Sequence, residues 1–330
     1  MIIITGGAGF IGSCLQAALV KRGYDTVIID QLGAQGKWRN IANHPPLYCV
    51  TPDFNNPDVL PDFLESLDKA DMLFHMGAIS ETTACDGDQV WKTNVALSRK
   101  LWDWCTRTRT RFVYASSAAT YGLAEKPEQF SDCHELLNTL DPASLYGWSK
   151  HVFDQQAIAL AKKNVAPPQW VGLKFFNVYG PNEYHKGNMI SVVKVKYDEL
   201  CKGEAVKLFR SHRTDIAHGM QARDFIWVQD VVSVMLWLYD TPSVSGVFNC
   251  GTGIARTYLD LAYAVCDAAG CQRRVEFVNM PTLLQGQYQS YTQADITRLR
   301  AAGYTGRFTT LEEGVRRYVQ NYLATETPYY

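Results

Sequence analysis

The sequence predicts an α/β fold: a doubly wound parallel sheet with a smaller, mixed α/β lobe. Three observations predict it. Short β-branched runs alternate with amphipathic stretches through the first half of the chain. A glycine-rich turn joins the first such run to the first such stretch, and beyond Pro181 the alternation gives way to a mixed pattern. The 330 residues suffice for one large or two moderate domains with a substantial core.

The runs "IIIT" (2–5), "TVIID" (26–30), "MLFHMG" (72–77) and "RFVYASS" (111–117) are almost wholly apolar, so they read as strands covered on both faces. Amphipathic segments between them supply the crossovers that parallel strands require. With a third strand before Asp53 also counted, "WVGLKFFNVYG" (170–180) reads as a later strand that leaves this sheet. Beyond it come the short strands "VKLF" (206–209), "DFIWV" (224–228) and "GVFNCG" (246–251), among helices at 229–240, 257–269 and 311–323. The expected division is a nucleotide-binding domain over 1–176 and a lobe over 177–330, with segments of about 210–250 returning to the first domain. The polar, unpatterned stretch "RSHRTDIAHGMQARD" (210–224) reads as a mobile loop.

Composition excludes several function classes. Lys and Arg total 32 against 33 Asp and Glu, and a net charge of −1 supplies no field for nucleic acid or an anionic membrane surface. The nine cysteines form no C-x-x-C pair, which fits free thiols in a reducing compartment and hence a cytoplasmic location. The opening apolar run is too short for a signal peptide, and no uncharged run approaches the roughly 18 residues of a membrane span. His75 and His185 have no second ligand at helical or strand spacing, so no metal site is expected.

The turn "TGGAGFIGS" places Gly6, Gly9 and Gly12 three apart between a strand and a helix. Glycines there let the backbone approach a pyrophosphate and aim the helix N-terminus at it, so the expected ligand is a dinucleotide. Asp30, ending the next strand, is placed to bond a ribose hydroxyl, which argues for NAD. Lys37 and Arg39 follow closely and can neutralise a 2′-phosphate, which argues for NADP. NADP is the expectation, with NAD possible. Asp53 and Phe54 are candidates for the adenine.

Further along, "SSAATYG" (116–122) ends an apolar strand and "YGWSK" (146–150) opens a helix. Tyr146 and Lys150 stand four apart and so share a helix face. A tyrosine is ordinarily a poor base, with a pKa of about 10. A nearby ammonium and a cationic nicotinamide both favour the phenolate, so Tyr146 can take an alcohol's proton as its hydride leaves. Ser117 then orients the same oxygen, and Lys150 also holds the nicotinamide ribose. A Tyr–Lys pair alone is common on helices; its conjunction with the glycine turn and the serine strand end is what singles it out.

"TGGAGFIG", "SSAATYG", "YGWSK" and "FFNVYGP" together resemble the extended short-chain dehydrogenase/reductase superfamily, the NAD(P)-dependent epimerases and dehydratases built on a Rossmann domain. "NVYGPNEYHKGNM" (177–189), "RDFIWVQDV" (223–231), "FNCGTGIA" (248–255) and "GQYQSYTQADITRLRAAGY" (286–304) resemble the branch that epimerises ADP-heptose at carbon 6. The resemblance implies an isomerase of lipopolysaccharide precursor synthesis that takes a nucleotide sugar and forms a homo-oligomer. It assigns Ser117, Tyr146 and Lys150 to the catalytic trio and Lys186 to a second acid/base. Phe10, Ile11, Asp30, Gln31 and Lys37 match cofactor-loop positions. Gly77, Ala78, Ser80, Asn94 and Val178 match the wall beside the cofactor. Ser117, Asn177, Asn188, Phe209, Arg223 and Tyr288 match positions that hold the nucleotide sugar. Met76, Gln31 and Gln287 depart from the branch, which more often has Glu, Asn and Arg or Lys there.

Other functions are weighed by single residues. A nucleotide-sugar dehydratase needs acids directly after the orienting Ser or Thr, where this chain has Ala118 and Ala119. A UDP-hexose 4-epimerase uses the same trio and is the alternative. A dinucleotide sensor or scaffold would have no need of Ser117, Tyr146 and Lys150 together.

Overall fold

The computed structural model describes residues 1–33, 35–52, 63–67, 70–281 and 288–330. Among these, the strands are β1 (Ile2–Thr5), β2 (Thr26–Ile29), β3 (Tyr48–Val50), β4 (Met72–His75), β5 (Arg111–Ser117), β6 (Trp170–Phe175), β7 (Asn177–Tyr179), β8 (Val206–Phe209), β9 (Ala222–Trp227), β10 (Gly246–Cys250), β11 (Ala255–Thr257) and β12 (Val275–Val278). The longer helices are α1 (Phe10–Lys21), α2 (Leu97–Thr108), α3 (Leu145–Lys162), α4 (Val192–Cys201), α5 (Val228–Asp240), α6 (Tyr258–Ala268) and α7 (Leu311–Tyr318).

Seven strands form one parallel sheet in the order β3-β2-β1-β4-β5-β6-β10. Strand parity divides its core into two layers. Ile2, Ile4, Phe74, Val113 and Leu173 face one way, against Leu15 and Leu19 of α1 and Val231 and Met235 of α5. Ile3, Leu73, Phe112 and Tyr114 face the other way, against Trp102 of α2 and Phe153 and Ala157 of α3. Helices on both faces explain why these strands read as unbroken apolar runs. The order reverses between β1 and β4, and in such sheets ligands bind beyond the strand C-termini at that reversal.

Trp170–Phe175 stays in this sheet, contrary to the expectation that it leaves. It pairs with β5 on one side and β10 on the other, and the chain departs only after Phe176. Gly172 has a steric reason to be there: a Cβ would lie 2.5 Å from the Tyr114 hydroxyl oxygen on β5. The departing chain builds a three-stranded sheet in the order β11-β9-β7, over a core of Tyr179, Trp227, Leu261 and Val315, and a two-stranded one of β12 and β8, over Ala262 and Cys266.

The 210–224 stretch is a loop only as far as Gln221, because Ala222 onward is β9. Its strand character is hidden in sequence by Arg223 and Asp224, both buried. Before it, Arg213 pairs with Asp215 at 2.6 Å and the Ser211 amide donates to His218 Nδ1 at 3.0 Å. Asp224 pins the lobe. Its carboxylate accepts the Thr252 amide at 2.7 Å, the Thr252 hydroxyl at 2.7 Å, the Gly253 amide at 2.9 Å and the Ala294 amide at 3.0 Å. A buried donor left without an acceptor costs about 1–3 kcal/mol. Asp224→Ala, which strands the buried Ala294 amide and the half-buried Thr252 and Gly253 amides, is therefore expected to destabilise the fold by about 2–3 kcal/mol. Urea unfolding checks this, with a lower midpoint expected at unchanged slope.

Candidate active site

Beyond β1 the chain turns through Gly6, whose φ of +67° suits glycine. A Cβ on Gly6 would lie 2.5 Å from the Gly77 nitrogen, and one on Gly12 would lie 2.1 Å from the Gly6 carbonyl oxygen, so any side chain would break the turn. Gly9 caps α1 without a side-chain hydrogen bond, and the first turn carries no acid. The helix terminus therefore presents its amides and its positive end to an incoming anion. At the tip of β2, Asp30 accepts the Ala8 amide at 2.9 Å, which ties the turn to the neighbouring strand, and pairs with Lys37. An uncapped helix end, a turn that tolerates no Cβ, and a carboxylate–ammonium pair at the ribose end fit a dinucleotide.

The turn opens on a cleft of about 930 Å³. Gly6, Gly9, Phe10, Ile11, Gly12, Asp30, Gln31, Lys37, Gly77, Ala78, Ser80, Ser117, Tyr146, Lys150, Asn177, Val178 and Lys186 all line it. Asp53 and Phe54 lie outside the described residues. Asn94 is buried away from the cleft: its amide oxygen accepts the Ile79 amide at 2.9 Å, and its nitrogen donates to the Ile79 carbonyl at 2.9 Å and to Ser149 at 3.0 Å. Ser149 in turn donates to the Tyr146 carbonyl at 2.7 Å, so Asn94 braces the helix that carries Tyr146. Arg39, exposed, stacks on Trp38.

Asn188, Phe209, Arg223 and Tyr288 do not line the cleft. Arg223 is buried between the rings of Tyr258 and Tyr288, at 5.7 and 5.1 Å, and donates to the Ala222 carbonyl at 3.0 Å and to the Gln289 carbonyl. Gln289 itself reaches the cleft wall, so the Arg223–Tyr288 cluster adjoins it. Sequence reasoning missed Gln289, which carries no chemical signature. It read His185 only as a metal candidate. His185 lines the cleft, burial and the Lys37 and Lys186 charges push it down to about 4, and Asn40 lies 3.2 Å from its Nδ1. Among the described residues, no three His, Cys, Asp or Glu side chains gather to hold a metal.

Helix α3 begins at Ser144, whose hydroxyl accepts the Gly147 amide at 3.1 Å. Tyr146 and Lys150 then project from one face toward Ser117 at the end of β5. Burial pushes the Tyr146 phenol up, with a hydrogen bond to Ser117 opposing it. The Asp154 charge pushes the phenol up further. Burial pushes Lys150 down to about 8 against the Asp154 charge, which favours its protonated form. Lys186, from the loop after β7, sits 5.1 Å over the Phe10 ring; burial lowers its proton affinity and Glu183 raises it. Glu183 itself is fixed by the Ser191 amide at 2.7 Å and the Tyr318 hydroxyl at 2.9 Å. The cleft thus holds two proton-transfer groups on separate elements.

Comparison with known proteins bears on this geometry. Residues 2–251 match the model of the NAD dependent epimerase/dehydratase family. The chain belongs to that family. It is therefore an enzyme of the epimerase kind that works with a nicotinamide dinucleotide. Among its relatives, the ADP-L-glycero-D-manno-heptose-6-epimerase of Nitratidesulfovibrio vulgaris strain DP4 is 44% identical, over 100% of both chains. The protein of that name from Fusobacterium nucleatum is 42% identical, also over 100% of both. The crystal structure of Helicobacter pylori ADP-L-glycero-D-manno-heptose-6-epimerase superposes with a TM-score of 0.81 at 29% identity, covering 97% of this chain and 95% of that one.

A charged lysine is a stronger hydrogen-bond donor than a neutral amine, which bears on the role expected from the sequence for Lys150 at the cofactor ribose. A base whose proton affinity is lowered holds its charge below the shifted value and loses it above, so Lys150 is mostly charged below about pH 8 and mostly neutral well above it. Cofactor affinity is expected to hold steady below about pH 8 and then fall toward about tenfold per pH unit. Lys150→Met should bind more weakly at neutral pH and lack this basic limb. Titrating the protein with dinucleotide across pH 6.5–9.5, about three units, checks both.

Proposed function

We propose that the protein inverts carbon 6 of ADP-D-glycero-D-manno-heptose, giving the L-glycero epimer, by transient oxidation to a 6-ketone. One observation carries this reading: Tyr146 on α3 and Lys186 on the loop after β7 line the same cleft as the glycine turn. An epimerase that passes through a ketone needs two proton partners, because the oxygen occupies two places. The full-length relatives support the choice of sugar.

The chemistry the bound nicotinamide supplies is removal of hydride from the carbinol and its later return. Tyr146 takes the hydroxyl proton, and Ser117 donates a hydrogen bond to the same oxygen. Lys150 holds the ribose hydroxyls and adds positive charge behind the phenol. Burial keeps Tyr146 protonated, and a cationic ring beside it would favour the phenolate that accepts the proton. Carbon 6 is exocyclic, so rotation about its bond to the ring presents the other carbonyl face while the nucleotide stays anchored. Lys186 then gives the displaced oxygen its proton, and burial makes it the weaker-binding acid this step requires. Gln31, Gly77, Ala78 and Ser80 flank the cofactor, Asn177 flanks the sugar, and Arg223 with Tyr288 stands at the nucleotide end beside Gln289.

NADP is the preferred form in this reading. Lys37, paired with Asp30 at the tip of β2, would be the residue to hold a 2′-phosphate, and titration with each dinucleotide tests the preference. Turnover without release of the cofactor suits a chain that returns the hydride it takes. The nine free thiols fit a cytoplasmic enzyme, and no described helix is long and apolar enough to cross a membrane. A homo-oligomer supplying lipopolysaccharide precursors completes the proposal.

Incubating purified protein with each ADP-heptose epimer tests the reaction. Tyr146→Phe is expected to lower turnover by about 10²–10⁴-fold with cofactor affinity nearly unchanged. Lys186→Met is expected to lose interconversion in both directions while keeping nucleotide-sugar affinity. Full turnover of Lys186→Met at saturating substrate would make Lys186 a binding residue. Turnover only on UDP-hexoses would move the assignment to a 4-epimerase.

A further inference from the structure

Beneath the catalytic face lies a buried ion pair that the reaction above does not use. Asp154 follows Lys150 by four residues and Tyr146 by eight, on the same side of α3. Its partner is Lys174 of β6, with Nζ 2.7 Å from Oδ2 and both side chains 0% exposed. The Tyr114 hydroxyl donates to Oδ1 at 2.9 Å and the Ser116 hydroxyl to Oδ2 at 2.8 Å. Lys174 also donates to the Thr120 hydroxyl at 2.7 Å, and Thr120 donates to the Ser117 carbonyl at 2.8 Å. One network therefore joins the helix of Tyr146 and Lys150, the strand end of Ser117 and the turn that follows it.

A buried ion pair is a weak source of net stability, because stripping water from two charges offsets their attraction. Apolar side chains of similar volume would hold the helix to the sheet as well. What the Asp154 charge adds here is a field that favours the Lys150 ammonium and opposes the Tyr146 phenolate. Asp154 favours the Lys150 ammonium, Lys174 of β6 pairs with that carboxylate, and His75 of β4 feels the Lys150 charge. His75 stays neutral, pushed down to about 3 by burial and by the Lys150 charge, with Thr5 on Nδ1 at 2.6 Å and Ser98 on Nε2 at 2.9 Å. Of the three, Asp154 carries the opposite charge.

We infer that Asp154, paired with Lys174, is a positioning residue that keeps Lys150 charged and holds it in register with Ser117. The inference rests on the reading of Lys150 as the cationic partner of the cofactor ribose. Within it, Asp154 favours the ammonium, and Lys174 occupies the far side of the carboxylate, so that Asp154 is held by β6 and bends neither toward the cleft nor away from α3.

The test measures NADP affinity against pH for the wild type, Lys150→Met and two double variants. Asp154→Asn/Lys174→Met removes both charges together, so neither is stranded. Asp154→Asn/Lys174→Gln keeps amides that can hydrogen-bond to each other, and serves if the first does not fold. In a folded double variant the basic limb is expected to move to lower pH by about one unit, with a corresponding loss of affinity at pH 8. A merely structural pair would lower the unfolding midpoint and leave the limb where the wild type has it, and that result overturns the inference. A limb that persists in Lys150→Met overturns it as well, but by removing Lys150 from the titration, so the two failures are distinguishable.

Discussion

Parallel pairing forces every strand of the main sheet to end at the same edge, and the site is assembled from what the chain places there. The glycine turn follows β1, Asp30 ends β2, Gly77 and Ala78 follow β4, Ser117 ends β5 and Asn177 lies just past β6. None of these contacts requires a long or specialised loop. The reversal of strand order between β1 and β4 parts the flanking helices, which leaves room for an extended ligand across the edge. The cost is that the edge must stay open while the sheet beneath it is dry, so polar groups near the sheet have to be satisfied internally. Asn94, His75 and the Asp154 network each answer that demand, and each does so directly behind a residue that lines the cleft.

Burial then sets the chemistry of the edge. It disfavours the charged form of Tyr146, Lys150 and Lys186 alike, moving the phenol up and both ammonium groups down. The three respond differently to a cationic ring and a polar sugar. A phenol gains from a neighbouring cation; an ammonium gains from a carboxylate. Asp154 serves Lys150 in that way and Glu183 serves Lys186, each from the same element as the lysine it assists. A site of two tuned lysines around one tyrosine suits a reaction whose oxygen must be met in two positions.

Most of the sheet was legible because its strands are buried on both faces and are therefore continuous in hydrophobicity. β3 gave only a weak signal, because Tyr48 and Cys49 are exposed at the sheet edge and three residues carry no period. Trp170–Phe175 looked like a departing strand because "FFNVYG" prolongs the apolar run past the point where pairing stops. β9 was partly hidden by Arg223 and Asp224, whose burial depends on partners about 30 to 70 residues away in sequence, at Thr252, Gln289 and Ala294. In the cleft, glycine spacing and the Tyr–Lys pair were legible because local geometry dictates them. Asn94 was placed beside the cofactor by resemblance, whereas its amide is spent on Ile79 and Ser149. The role of Lys174 could not be read at all, since a lysine inside a strand gives no sign of the carboxylate it will meet.

Transient oxidation with return of the same hydride is the claim on which this account stands, and isotope retention tests it most directly. Purified protein is incubated in ordinary water with ADP-D-glycero-D-manno-heptose carrying deuterium at carbon 6, and the epimerised product is isolated. The account predicts that the product keeps its deuterium at carbon 6, because the cofactor stays bound and gives back what it took. Replacement of that deuterium by solvent hydrogen, at a rate matching epimerisation, would contradict it and point to deprotonation at carbon instead.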